Sequence, residues 1–109
     1  LIGQASFKRQ GRARTAEKNK GLLRLYAERS SGRLLGGEMC VPAGEHMAHV
    51  LALAIERQLG VQELLRLPFY HPVLEEGMRS ALRELSSQLP AGSNSDLASC
   101  GAYQAEALD

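Results

Sequence analysis

The stretch LPFYHPVLEEGMRSAL, Leu67 to Leu82, places a histidine directly before a proline, then two carboxylates, then an apolar-periodic run. Proline holds φ near its helical value and lacks the N–H that a first helical turn leaves unpaired, so Pro72 is suited to open a helix. Glu75 and Glu76 would then lie in the first turn, where the helix dipole favours negative charge. Leu74, Met78, Ala81, Leu82 and Leu85 recur at three- and four-residue spacing and make one apolar face. The pattern predicts a helix from Pro72 to Gln88, with His71 just outside it on the loop leading in. Two readings of the histidine follow. It is a solvent residue beside a capped helix, or it is an imidazole held at the helix mouth by the carboxylate five residues on.

Upstream the punctuation is equally marked. Pro42 opens a long helix, Ala43 to Leu59, with Met47, Val50, Leu51, Ala54 and Ile55 on one face. Ala48, Ala52 and Leu59 widen that face, which predicts cover on more than one side. Gly60 fits the position just past the helix end. Val61 to Leu67 reads as a short helix stopped by Pro68. Before these helices the period changes. Leu22 to Tyr26 and Leu34 to Val41 read as strands of a hairpin, with Gly32 in the turn between them. Ala5 to Thr15 alternates weakly around Gly11 and reads as an irregular or bulged strand. Strands followed by helices predict an α+β fold, a small antiparallel sheet of about three strands packed with three helices. A sheet of that size exposes its edges, and with the apolar breadth of the long helix this predicts a dimer.

Composition bounds the function. The 109 residues suffice for one modest core, and 44% hydrophobic with 23% charged residues is ordinary for a water-soluble chain. No apolar run approaches the roughly 20 residues of a membrane helix, and the first 20 residues are basic and broken by glycine, unlike a secretory leader. The net charge of +1 conceals an asymmetry: residues 1–33 hold nine cations against Glu17 and Glu28, whereas residues 90–109 hold no Lys or Arg. A basic front end can bind phosphate or nucleic acid. Only Phe7 and Tyr26 lie among these charges, too few for a stacking platform, which favours a solvated, charge-protected sheet edge over a nucleic-acid partner. Cys40 and Cys100 are too far apart for a C-x-x-C pair or metal-ligand spacing. Cys40, between Met39 and Val41, reads as a buried strand thiol. Reduced thiols are the default of a cytoplasmic protein, the expected compartment.

Two constellations could carry chemistry. His46 and His49 are three apart on the long helix beside Glu45, but the zinc-protease spacing H-E-x-x-H is absent, and no metal is expected. His71 with Glu76 is the stronger candidate. A carboxylate that accepts one imidazole N–H fixes the tautomer and raises the basicity of the other nitrogen, as a general base for a thiol requires.

The ordered set of segments resembles the C-terminal interface (dimerisation) domain of the flavin-dependent pyridine nucleotide–disulfide oxidoreductases, closest to dihydrolipoamide dehydrogenase. GRART followed by KGLLRLYAERSSGRLLGGEM resembles the family's strand pair. VPAGEHMAHVLALAIERQLGVQELLRLPFYHP resembles its long and short helices, and HPVLEE its H-P-T-x-x-E signature. The likeness spans about Ala5 to Leu89. It implies a homodimer in which the histidine and glutamate reach the redox disulfide and flavin of the partner subunit. Carried over, His71 would be the acid/base, Glu76 its orienting partner, and the backbone of His71 and Pro72 the approach to the partner's FAD. NAD would be the second cofactor of the full-length enzyme; no cofactor is expected in these residues alone.

The departures from the family are specific. Val73 replaces the family's Thr and removes a hydroxyl able to cap the helix, a loss of about 1 kcal/mol. Val41 replaces a Gly before Pro42, and the family's first strand has no visible counterpart. There is no G-x-G-x-x-G and no closely spaced cysteine pair, so the flavin- and nicotinamide-binding halves and the redox disulfide are not in this sequence. The chain is therefore expected to be half of an active site, inactive alone. A stand-alone basic nucleic-acid-binding module and a purely structural dimerisation module are the alternatives. Residues 1–89 are expected to form the interface domain and residues 90–109, AGSNSDLASCGAYQAEALD after Pro90, a flexible tail with few apolar anchors. Deleting residues 90–109 should leave the thermal midpoint nearly unchanged; a large drop would show that the tail packs on the core.

Overall fold

In the computed structural model, which describes residues 1–90, the chain starts directly in a strand, β1 (Ile2–Ser6). A 3₁₀ turn (Phe7–Arg9) and a short helix α1 (Gly11–Thr15) follow. The strands β2 (Leu22–Ala27) and β3 (Leu34–Cys40) precede three further helices: α2 (Gly44–Glu56), α3 (Val61–Leu65) and α4 (Glu76–Gln88). The sheet is antiparallel in the order β1-β2-β3, with Gln4 opposite Arg24 and Arg24 opposite Glu38. The expected α+β arrangement is present, with four helices rather than three. The boundary behaviour expected of the tail lies outside the described residues.

Strand alternation decides which face is covered. Ala5, Leu23, Leu25 and Ala27 are buried, while Gln4, Leu22 and Arg24 are exposed. On the inner face α4 packs across β1 and β2, α2 packs on β3, and α3 packs on α4. The core unites Phe7, Leu23, Leu25 and Leu34 with Met47, Val61, Met78, Ala81, Leu82 and Leu85 from the helices. The apolar face read for the last helix is thus the buried one.

Several expectations are corrected. Ala5 to Thr15 is not a strand. The extended run is Ile2–Ser6, and two polar side chains turn the rest into helical turns. Ser6 Oγ accepts from Lys8 N at 3.3 Å, and Gln10 Oε1 accepts from Ala13 N at 2.6 Å, so one early N–H of each turn is satisfied locally, while Phe7 N reaches Gly21 O at 3.0 Å. Cys40 is exposed rather than buried, because it is paired with the outward Leu22 while its neighbour Met39 packs against the core.

The long helix is shorter than expected, and among the described residues it is covered on one side: Met47, Leu51 and Ala54 are buried, but Val50 and Leu53 are exposed. Its end is also set differently. Gln58, not Gly60, takes the left-handed conformation, with φ 55°. Gln58 N donates to Ile55 O and Leu59 N to Ala54 O, the paired bonds of a Schellman end. Gly60 is extended and leads into α3, with its N–H on Glu63 Oε2 at 2.6 Å.

Helix α4 sits on the sheet at two close approaches. A Cβ on Gly3 would lie 2.3 Å from the Ala81 carbonyl oxygen and 2.6 Å from Leu85 Cγ. A Cβ on Gly77 would lie 2.4 Å from the tip of the fully buried Phe7 ring. Gly3→Ala should therefore lift α4 off β1 and cost about 1–3 kcal/mol, the range for forced overpacking, read as a fall in the denaturation midpoint. A neutral outcome would mean that the helix can slide without loss of core contact.

Candidate functional site

Helix α3 ends at Leu65, and ten residues separate it from α4. This connection carries Phe69, Tyr70, His71 and Pro72. The His71–Pro72 peptide is cis. His71 Nδ1 lies 3.0 Å from Glu76 Oε1 and 3.1 Å from Oε2. An ionised carboxylate can only accept, so Nδ1 carries the proton and Nε2 of the neutral ring is left as an acceptor. The His71 side chain is 79% exposed, which leaves that nitrogen open to a reacting group, whereas Glu76 is 29% exposed. Burial pushes the Glu76 carboxyl up. The hydrogen bonds from His71 and from Val73 N, with weaker attraction to His71 and Arg79, outweigh it and hold the group below its ordinary 4.5. The pair can thus fix a tautomer and keep a proton acceptor at the surface.

The start of α4 differs from the sequence reading. The helix begins at Glu76, not Pro72. In a helix opened at Pro72, the Val73 carbonyl would take the N–H of Gly77. Instead Gly77 N bonds Leu74 O at 3.0 Å, and the Val73 carbonyl accepts from Gln10 Nε2 at 2.6 Å. Val73 N donates to Glu76 Oε2 at 3.2 Å. The carboxylate at the first residue of α4 thus folds back onto a main-chain N–H three residues upstream, and Val73 has no hydroxyl to return a bond. Both backbone polar groups of Val73 are therefore engaged, one by the glutamate of the pair and one by the segment after β1.

Gln10 and Phe7 were not singled out by the sequence reading, yet both touch the first turns of this region. The only sequence signal for Gln10 is a polar residue three before Ala13, an N-cap-like spacing that is weak for glutamine. Next to the pair, Val50, Leu64, Phe69, Tyr70, Val73 and Met78 line part of an apolar cavity of about 360 Å³. Arg79 lies over the Phe69 ring, 5.6 Å from its centroid.

The other candidates are not brought together with this site. His46 and His49 lie exposed on α2, with His46 Nε2 3.9 Å from Glu45, and no three metal-binding side chains cluster among the described residues. On the outer face of the sheet, Glu38 accepts from Tyr26 Oη at 2.8 Å and pairs with Arg24 at 3.3 Å. The Tyr26 bond first, and then Arg24, hold the Glu38 carboxyl below its ordinary value.

Comparison with known proteins places this geometry in context. Residues 1–82 match the family model of the pyridine nucleotide-disulphide oxidoreductase dimerisation domain. Among curated relatives, the dihydrolipoyl dehydrogenase of Haloferax volcanii is 30% identical over 88 residues, 81% of this chain and 18% of its own length. The mitochondrial dihydrolipoyl dehydrogenase of Bos taurus is 29% identical over 80 residues, 73% of this chain and 16% of its own length. Among solved structures, LpdA from Mycobacterium tuberculosis superposes with a TM-score of 0.73 at 24% identity, over 78% of this chain and 18% of that one. The flavoprotein disulfide reductase RclA from Escherichia coli gives 0.72 at 18% identity, over 76% and 19%. The structural likeness is one of fold, and the chain spans less than a fifth of each of these relatives. With the family model covering the sheet, α2, α3 and the start of α4, the chain belongs to the dimerisation-domain family of the pyridine nucleotide-disulphide oxidoreductases.

Proposed function

We propose that this chain serves as the dimerisation domain of a dihydrolipoamide dehydrogenase-like flavoprotein disulfide oxidoreductase and supplies the acid/base pair His71–Glu76 to its partner's redox site. The observation that carries this reading is the His71 Nδ1–Glu76 contact of 3.0 Å on a ring that is 79% exposed. A purely structural dimerisation module has no need of an oriented, open imidazole. In this role Glu76 holds the tautomer, and Nε2 takes the proton of the thiol that becomes the thiolate nucleophile.

The residues present suit an edge contact with a flavin, not its enclosure. His71 and Pro72 lie on a loop, and no glycine-rich phosphate cradle occurs in the sequence. FAD and NAD, when bound in the full-length enzyme, supply the two-electron chemistry. The partner surface we assign includes the exposed Val50 and Leu53 of α2 together with Leu67 and Tyr70. Tyr70 adjoins His71, so a contact there would carry the imidazole toward a second subunit.

Two measurements test the reading. Joined to the flavin- and nicotinamide-binding domains of a dihydrolipoyl dehydrogenase, this chain with His71→Gln should lose about 10²- to 10⁴-fold in dithiol oxidation. Flavin reduction by NADH, which does not use the thiol's base, should change little. Equal losses in both half-reactions would indicate a damaged interface and remove the catalytic role.

The second concerns pH. The folded Glu76 carboxyl titrates below its ordinary 4.5, so the folded state binds fewer protons there than the unfolded chain. Its contribution is complete above the ordinary value and is lost as pH falls through the folded one. The imidazole is largely exposed, so screening limits that contribution to about 0.5–1 kcal/mol. Glu76→Gln should therefore be less stable than the parent at pH 6 and equal to it near pH 2, in denaturant titrations. A stability gap independent of pH would show that the carboxylate's charge is not what matters.

A further inference from the structure

We propose that Gln10 is a positioning residue for the His71–Glu76 pair, acting through the backbone of Val73; the functional meaning of this rests on the role proposed for the pair above. The geometry forms a continuous chain of hydrogen bonds. Gln10 Oε1 accepts from Ala13 N at 2.6 Å, and Gln10 Nε2 donates to Val73 O at 2.6 Å. Val73 N then donates to Glu76 Oε2 at 3.2 Å, and Glu76 accepts from His71 Nδ1. One side chain, 63 residues away in sequence, thus fixes the residue that lies between the two members of the pair.

The amide suits this task. Gln10 must accept from a main-chain N–H and donate to a main-chain carbonyl at once, which a carboxylate or an ammonium cannot do. The Gln10–Val73 bond is half-buried, where an unsatisfied carbonyl is costly. It also takes the Val73 carbonyl out of the α4 ladder. The helix then starts at Glu76, and the carboxylate folds back onto Val73 N and His71. The anchor on the other side is rigid: Ala13 is fully buried, and the neighbouring Phe7 ring is wedged against Gly77 in the first turn of α4. Lengthening or loosening this tie would let the loop at residues 71–75 move relative to Glu76.

The test uses the whole 109-residue chain and two variants. Gln10→Glu keeps the oxygen that accepts from Ala13 N and removes the donor to Val73. Gln10→Ala removes both. The imidazole ¹⁵N shifts of His71, assigned with His71→Gln, report its tautomer, and the Glu76 carboxyl ¹³C shift reports its titration. In the parent the Nδ1–H form should dominate the neutral ring. In both variants its ratio to the Nε2–H form should fall about fivefold, the equivalent of one lost hydrogen bond. Glu76 should titrate closer to its ordinary 4.5. A folded Gln10→Glu variant with both readouts unchanged would overturn the proposal. If neither variant folds, the through-bond coupling between Gln10 Nε2 and the Val73 carbonyl carbon of the parent decides: it should be observed, and its absence overturns the proposal. None of these readouts depends on turnover. Failure of the positioning role is therefore seen separately from failure of the acid/base role, which the half-reactions of His71→Gln decide.

Discussion

Helix α4 has one seat on the sheet because two glycines let it approach where any side chain would collide. Gly3 admits the Ala81 carbonyl and Leu85, and Gly77 admits the ring of Phe7, which has no exposed surface. Close-packed interiors deform little, so these two contacts fix both the height and the rotation of the helix. The candidate site follows from that seat. The first turn of α4 carries Glu76, and the segment entering it carries His71. The β1–β2 connection, anchored by Phe7, carries Gln10.

At the helix mouth several donors and acceptors compete. A proline two residues ahead of an apolar stripe would ordinarily extend the helix back toward itself. Here the Val73 carbonyl is taken by Gln10 and the Val73 amide by Glu76, so the helical ladder begins later. The late start places Glu76 at the first helical residue, where the dipole favours a carboxylate, and leaves the imidazole outside. Solvent on the ring keeps the pair from being a strong source of stability. It also leaves Nε2 reachable, which a buried pair would not.

The rest of the surface has the character of a domain that meets other protein. Ile2, Leu22 and Leu35 are exposed on the strands, and Val50 and Leu53 on α2. Three strands packed with helices are a minimal unit; at the outer edge of β1 the α4 side chains Glu84 and Gln88 bond Gln4 N and Ile2 O, whereas α2 leaves Val50 and Leu53 exposed. Membership of a dimerisation-domain family accounts for such surfaces in general terms.

The amphipathic stripe of α4 was legible in the sequence because Leu74, Met78, Ala81, Leu82 and Leu85 obey a period that only one covered face explains. The hairpin of β2 and β3 was legible for the same kind of reason, as local propensity and pattern agree there. His71 and Glu76 could be singled out as a pair, since five residues around a helix start keep them close. What sequence could not decide was the segment from Ser6 to Thr15, where polar side chains cap two short turns and override a weak alternation. Nor could it decide the outward turn of Cys40, the left-handed Gln58, or the first residue of α4. The direction of Cys40 depends on its register against Leu22 and the start of α4 on Gln10, both distant in sequence, while the turns after Ser6 and the end of α2 rest on local bonds that compete with a continued strand or helix. Periodicity records which faces are apolar, and it specified the core. The competition of Gln10 and Gly77 for the neighbourhood of Val73 exists only once Phe7 has closed against α4, so the geometry of the site was settled by tertiary packing.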